Sequence, residues 1–147
     1  MNFTTQKSLD GCLKFYQELL GLYSWTMKIE YSLLEDMPRA QYNSEPLASG
    51  VFVREIKTAF IQICSSLYPL GKENFARDEE LDIVHELMHI VYPDPKGTEK
   101  NYELYMLYEQ ATETTAQALV KLRRDSKKTF WWTKEEKKKK CSLTLKK

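Results

Sequence analysis

Residues 77–92, RDEELDIVHELMHIVY, are apolar at Leu81, Ile83, Val84, Leu87, Met88, Ile90 and Val91, contain no Pro or Gly, and meet Pro93. That pattern predicts a helix ended sharply by the proline. Because apolar residues occupy most of its sides, the helix is expected to be buried between a sheet and other helices. His85, Glu86 and His89 would then line one polar opening. A four-residue step turns both imidazoles to one face with the carboxylate beside them, which suits the binding of one metal ion. Polar side chains in so apolar a helix need partners. The plainer alternative is a pair of histidines hydrogen-bonded on an ordinary helix. Against it, both histidines of the whole chain fall in this one motif, and an acidic constellation follows.

That constellation lies in residues 99–124, a long stretch free of Pro and Gly and rich in helix formers. Glu109 and Glu113 are one helical period apart and are expected to share a face with Tyr102, Met106, Ala116 and Val120. A zinc site built from two histidines and one glutamate needs three protein ligands and an open position for water. Either glutamate could complete it. Glu109 follows His89 by 20 residues, enough for a loop around 93–97 and the first turns of a returning helix. That gap is compatible with Glu109 as the ligand, which is the preferred choice, with Glu113 as competing ligand or as the group that orients an imidazole from behind. Both glutamates as solvated helix charges is the alternative. Glu103, on another face, is a weaker candidate.

Together these residues resemble the gluzincin metallopeptidases, in which an HExxH helix is followed by a glutamate helix. The spacing to Glu109, with Gln110, Ala111, Thr112 and Glu113 after it, is similar to the thermolysin-like members. Glu113, Ala116 and Gln117 resemble the ExxA version. Glu113 departs from the first pattern, where an aspartate is usual. The resemblance is greatest to small single-domain zincin-like proteins of prokaryotes and their viruses, with residues 20–29 and 59–65 similar to their first strand and the strand preceding the active helix. It covers residues 8–124 and has its main specificity at the HExxH. No later histidine matches the third ligand of metzincin-like groups. The resemblance implies an α+β fold of minimal zincin-like type. Its parts would be an N-terminal helix, a small mixed sheet of about three strands, the HExxH helix and the glutamate helix.

The chemistry expected of such a site is hydrolysis of peptide bonds by activated water. His85, His89 and a glutamate would hold one Zn2+, and Glu86 would move the proton from water to the departing amine. Two imidazoles and a carboxylate suit zinc, with manganese, cobalt or iron as alternatives. Tyr102, Tyr105 and Tyr108 are candidates for stabilising the oxyanion. The partner is then a peptide or protein substrate. Two other classes compete: an inactive zincin-like structural or interaction protein, and a nucleic-acid binder acting through a basic tail.

The rest of the chain is compatible with this organisation. Residues 8–20 have helical spacing with Gly21 as a stop. Residues 25–34 alternate as a half-buried strand with Trp25, Met27, Ile29, Tyr31 and Leu33 on one side. Residues 36–50 read as loop, with a short strand near 39–42 or 51–54. The run 56–67 is expected to be an interior or edge strand beside the histidine helix, and as a cleft edge it could pair with an extended peptide.

Residues 1–126 suffice for one domain and carry 13 basic and 19 acidic side chains. The tail, 127–147, carries 9 lysines and 2 glutamates, so a basic aromatic segment with Phe130, Trp131 and Trp132 follows an acidic body. It could dock on that body over the cleft, stay solvated, or meet a polyanion such as nucleic acid. Docking would let Cys141 reach the metal and keep the enzyme latent. Cys12, Cys64 and Cys141 are odd in number and widely spaced, which predicts a reducing compartment and no thiolate cluster. Without a secretory h-region or an apolar span, no membrane partner and a cytoplasmic location are expected.

Overall fold

The computed structural model describes residue 3 and residues 5–37, 47–64 and 78–126. Among these residues, three helices and one small sheet follow the order α1 (Gln6–Leu19), β1 (Thr26–Ser32), β2 (Ala48–Val53), β3 (Thr58–Cys64), α2 (Glu79–Val91) and α3 (Tyr102–Asp125), with a 3-10 turn at Leu34–Asp36. The fold class is therefore α+β with a mixed three-stranded sheet.

Each helix begins on a side-chain cap. Thr5, Asp78 and Asn101 accept from the backbone N–H groups of Ser8, Leu81 and Leu104, satisfying donors that the helix itself cannot. Gly21, at φ 69°, ends α1 in the left-handed conformation, and the N–H groups of Gly21 and Leu22 return to the carbonyls of Glu18 and Gln17. That is the stop expected of a glycine just past a helix.

The sheet order is β1-β3-β2, with β1 parallel and β2 antiparallel to β3. β3 is thus central. Its alternation places Ala59, Ile61 and Ile63 in the core at 1% exposure or less. They pack with Leu9, Cys12 and Tyr16 of α1 and with Ile83, Val84, Leu87 and Met88 of α2. Burying one such aliphatic side chain stabilises the fold by roughly 1.5–3 kcal/mol.

Several expectations are corrected. Residue 56 lies in the turn before β3, where Ile56 is exposed, because the strand begins only at Thr58. β3 is flanked on both sides, so it cannot be the cleft edge. The sheet edges among the described residues are β1 and β2, each of which pairs on one side only. Leu33 is exposed because β1 ends at Ser32, where the chain turns into the 3-10 segment. Tyr102 and Met106 are exposed near the start of α3; the face of α3 turned inward is Tyr108, Thr112, Ala116 and Val120. The expected strand at 39–42, the end of the run at 65–67 and the tail 127–147 with Phe130, Trp131, Trp132 and Cys141 lie outside the described residues.

Candidate metal centre

α2 is buried almost all round, and its half-exposed polar positions Asp82, His85 and His89 fall on one stripe. α3 lies along that stripe in the opposite direction. Glu80 meets Arg123, His85 meets Glu109 and Glu113, and His89 meets Tyr108 and Glu109. At the N-terminal end of α2, Glu80 is fully buried; Tyr16 Oη donates to it at 2.8 Å, and Arg123 and Arg124 pair with it.

At the other end, the Nε2 atoms of His85 and His89 are 3.2 Å apart. The Glu109 carboxylate lies 3.2 Å from Nε2 of His85 and 3.8 Å from Nε2 of His89. One ligand atom from each of these three residues falls within 4.8 Å of the others. Metal bonds of about 2.0–2.1 Å at tetrahedral angles place neighbouring ligand atoms roughly 3.3 Å apart. The three groups are therefore near enough to one another to hold a single divalent cation.

The far side of each ring is also occupied. His85 Nδ1 lies 3.0 Å from Glu113 Oε2, and Gln117 donates to the other oxygen of that carboxylate. An ionised carboxylate only accepts, so Nδ1 carries a hydrogen toward Glu113, and Nε2 carries one toward Glu109 until the imidazole gives up its extra proton and exposes a lone pair there. His89 Nδ1 lies 2.8 Å from Tyr108 Oη and 3.5 Å from Asp94. Tyr108 Oη in turn donates to the Tyr92 carbonyl. The two candidate glutamates thus stand apart: Glu109 shares the space between the Nε2 atoms, and Glu113 stands behind His85.

These surroundings set the protonation of the site. Burial disfavours a charged His85, yet hydrogen bonds and charge from Glu109, Glu86 and Glu113 outweigh it and push the imidazole up to about 9. Burial, helped by the neighbouring His85 charge, pushes His89 down against the pull of Glu109 and Asp94. Glu86 is 8% exposed. Burial, reinforced by Glu109 and Asp82 and opposed by His85, raises its carboxyl to about 7. Gly50 of β2 faces this carboxylate so closely that a Cβ there would sit 2.8 Å from Glu86 Oε2 and overlap the Phe52 ring. The glycine leaves room for the acid.

Sequence reasoning missed three features. Tyr108 stood among possible oxyanion donors, but its phenol is turned to His89 and Tyr92, and nothing in its spacing separates it from the other tyrosines. Arg54, in the β2–β3 turn, donates to the carbonyls of His89 and Ile90 and so ties the end of α2 to the sheet; no local signal announces that contact. Glu79 and Glu80 read as ordinary acids of a first turn, yet both are fully buried. Tyr102 is exposed, which leaves it away from the packed interior. No family model matches this chain, and comparison with curated proteins and with solved structures gives no match either.

Proposed function

We propose that this chain is a zinc-dependent hydrolase of the small gluzincin-like type that cleaves peptide bonds. The reading is carried by one observation: the two imidazole Nε2 atoms and the Glu109 carboxylate converge closely enough to hold one ion, with the Nδ1 atoms already engaged behind them. His85, His89 and Glu109 would hold the ion, and Glu113 would orient His85. A bound divalent cation supplies Lewis acidity there, polarising a carbonyl and lowering the pKa of water.

Glu86 does the proton work. With a carboxyl near 7, it can take a proton from the attacking water as the oxygen adds to the carbonyl carbon, and return it to the amine nitrogen as the C–N bond breaks. The substrate is an extended peptide laid along the outer edge of β2, its backbone pairing with the strand. Gly50 brings that strand against Glu86. The buried cysteines Cys12 and Cys64 suit a reducing cytoplasm. Among the described residues no helix is long and apolar enough to cross a membrane.

The test uses the full chain loaded with zinc and an unfolded protein such as casein. Cleavage by the parent and its loss in Glu86→Gln, with zinc content unchanged, is the expected result. Zinc uptake without cleavage would favour the second reading, a metal-stabilised interaction protein. The observation on its side is that Tyr108 spends its hydroxyl on His89 and Tyr92 rather than on an incoming carbonyl.

A further inference from the structure

The geometry points to Tyr108 as a positioning residue that fixes the tautomer of His89 and ties that choice to the end of α2. This rests on the metal-binding reading of His85, His89 and Glu109, and extends it to a residue that touches neither metal nor substrate.

The phenol has one proton. Tyr108 Oη contacts the Tyr92 carbonyl, which can only accept, so that proton goes there. Asp94 and the Thr112 hydroxyl also lie near the phenol, and an ionised Asp94 is likewise an acceptor. The 2.8 Å contact between Tyr108 Oη and His89 Nδ1 still needs a hydrogen, and Nδ1 must supply it. A neutral imidazole with its hydrogen on Nδ1 has its lone pair on Nε2. That atom faces His85 Nε2 at 3.2 Å and Glu109 at 3.8 Å. The opposite tautomer would leave the Tyr92 carbonyl without its donor and put an N–H where a cation is to be bound.

Tyr92 is the C-terminal cap of α2, and its carbonyl lies just past the helix. Arg54 satisfies the preceding carbonyls of His89 and Ile90. Tyr108 therefore closes the helix end and sets the ligand with a single hydroxyl. It can do both because it sits on the buried face of α3, next to Glu109.

The experiment compares the full-length parent, Tyr108→Phe and Val120→Ala. Val120 is a buried residue of the same helix away from the histidines, so its truncation reports destabilisation alone. Zinc affinity is read by competition with a chromophoric chelator, and the His89 tautomer by long-range 1H–15N correlation on metal-free protein at pH 8. Tyr108→Phe is expected to bind zinc 10–100-fold more weakly, in the range found when outer partners of metal-bound histidines are removed. It should also lose the dominance of the Nδ1–H form that the parent displays. Val120→Ala should keep both parental values. Affinity within threefold of the parent in Tyr108→Phe, or a parent His89 protonated on Nε2 alone, would overturn the inference. The tautomer is read without metal and without any variant, so a parent that binds no zinc would defeat the functional reading while the Tyr108 assignment is still decided.

Discussion

His85 and His89 are chemically alike and one helical turn apart, yet their surroundings push them in opposite directions, which has consequences that can be measured. In the metal-free protein the raised His85 imidazole, near 9, is protonated at neutral pH, whereas a cation needs its Nε2 free. Zinc binding at pH 7 is expected to release about one proton. Calorimetric titrations in two buffers of different ionisation enthalpy would measure it, and release close to zero would contradict the assignment. The same shift affects stability. The folded state keeps the His85 proton to higher pH than the unfolded chain, so its stabilising contribution is complete below 6.5 and is lost as pH rises to about 9. Glu86, raised from 4.5 to about 7, acts in the same direction between those two values. Denaturant midpoints of metal-free protein should therefore fall between pH 6.5 and 9, and His85→Gln should flatten that slope.

At the scale of elements, the central question is what keeps α2 and α3 in register, because a slip of one turn would bring Glu113 to the place of Glu109. Ridge packing alone tolerates such slips. The buried Glu80 carboxylate, held by Tyr16, Arg123 and Arg124, does not. Buried ion pairs add little net stability compared with well-packed apolar groups, and specifying register is their best-attested use. Glu80→Ala is expected to cost about 3–5 kcal/mol in denaturant unfolding, since it leaves the Arg123 charge buried, and to weaken zinc binding as well. A loss under 1 kcal/mol would count against the pin. On the sheet side, Gly50→Ala forces a methyl against Phe52 and the Glu86 carboxylate. About 1–3 kcal/mol of destabilisation is expected, together with loss of cleavage, because Glu86 must move.

For the whole molecule, the elements that carry strong periodicity or punctuation were legible in the chain. The 3.6-residue pattern before Pro93, the glycine stop at Gly21 and the β-branched run within 56–67 each lead to an element observed, the last as the strand Thr58–Cys64. Strand order was not legible, because the sequence of β3 reads the same whether it is flanked once or twice. For the site, helical repetition alone predicts that His85 and His89 share a face, and their Nε2 atoms lie 3.2 Å apart. The choice between Glu109 and Glu113 was open in the sequence because both share a helix face; the direction and register of α3 separate them in space. Tyr108 and Arg54 act through the α2 terminus, a contact between distant segments that no local pattern encodes. If the two helices are one metal-binding unit, zinc at 1,000 times its dissociation constant should stabilise the fold by about 4 kcal/mol. The most direct measurement is anomalous diffraction at the zinc edge from crystals of zinc-loaded full-length protein. One peak bonded to His85 Nε2, His89 Nε2 and the Glu109 carboxylate is the expected result, and a well-ordered α2–α3 pair with no peak between those atoms would contradict it.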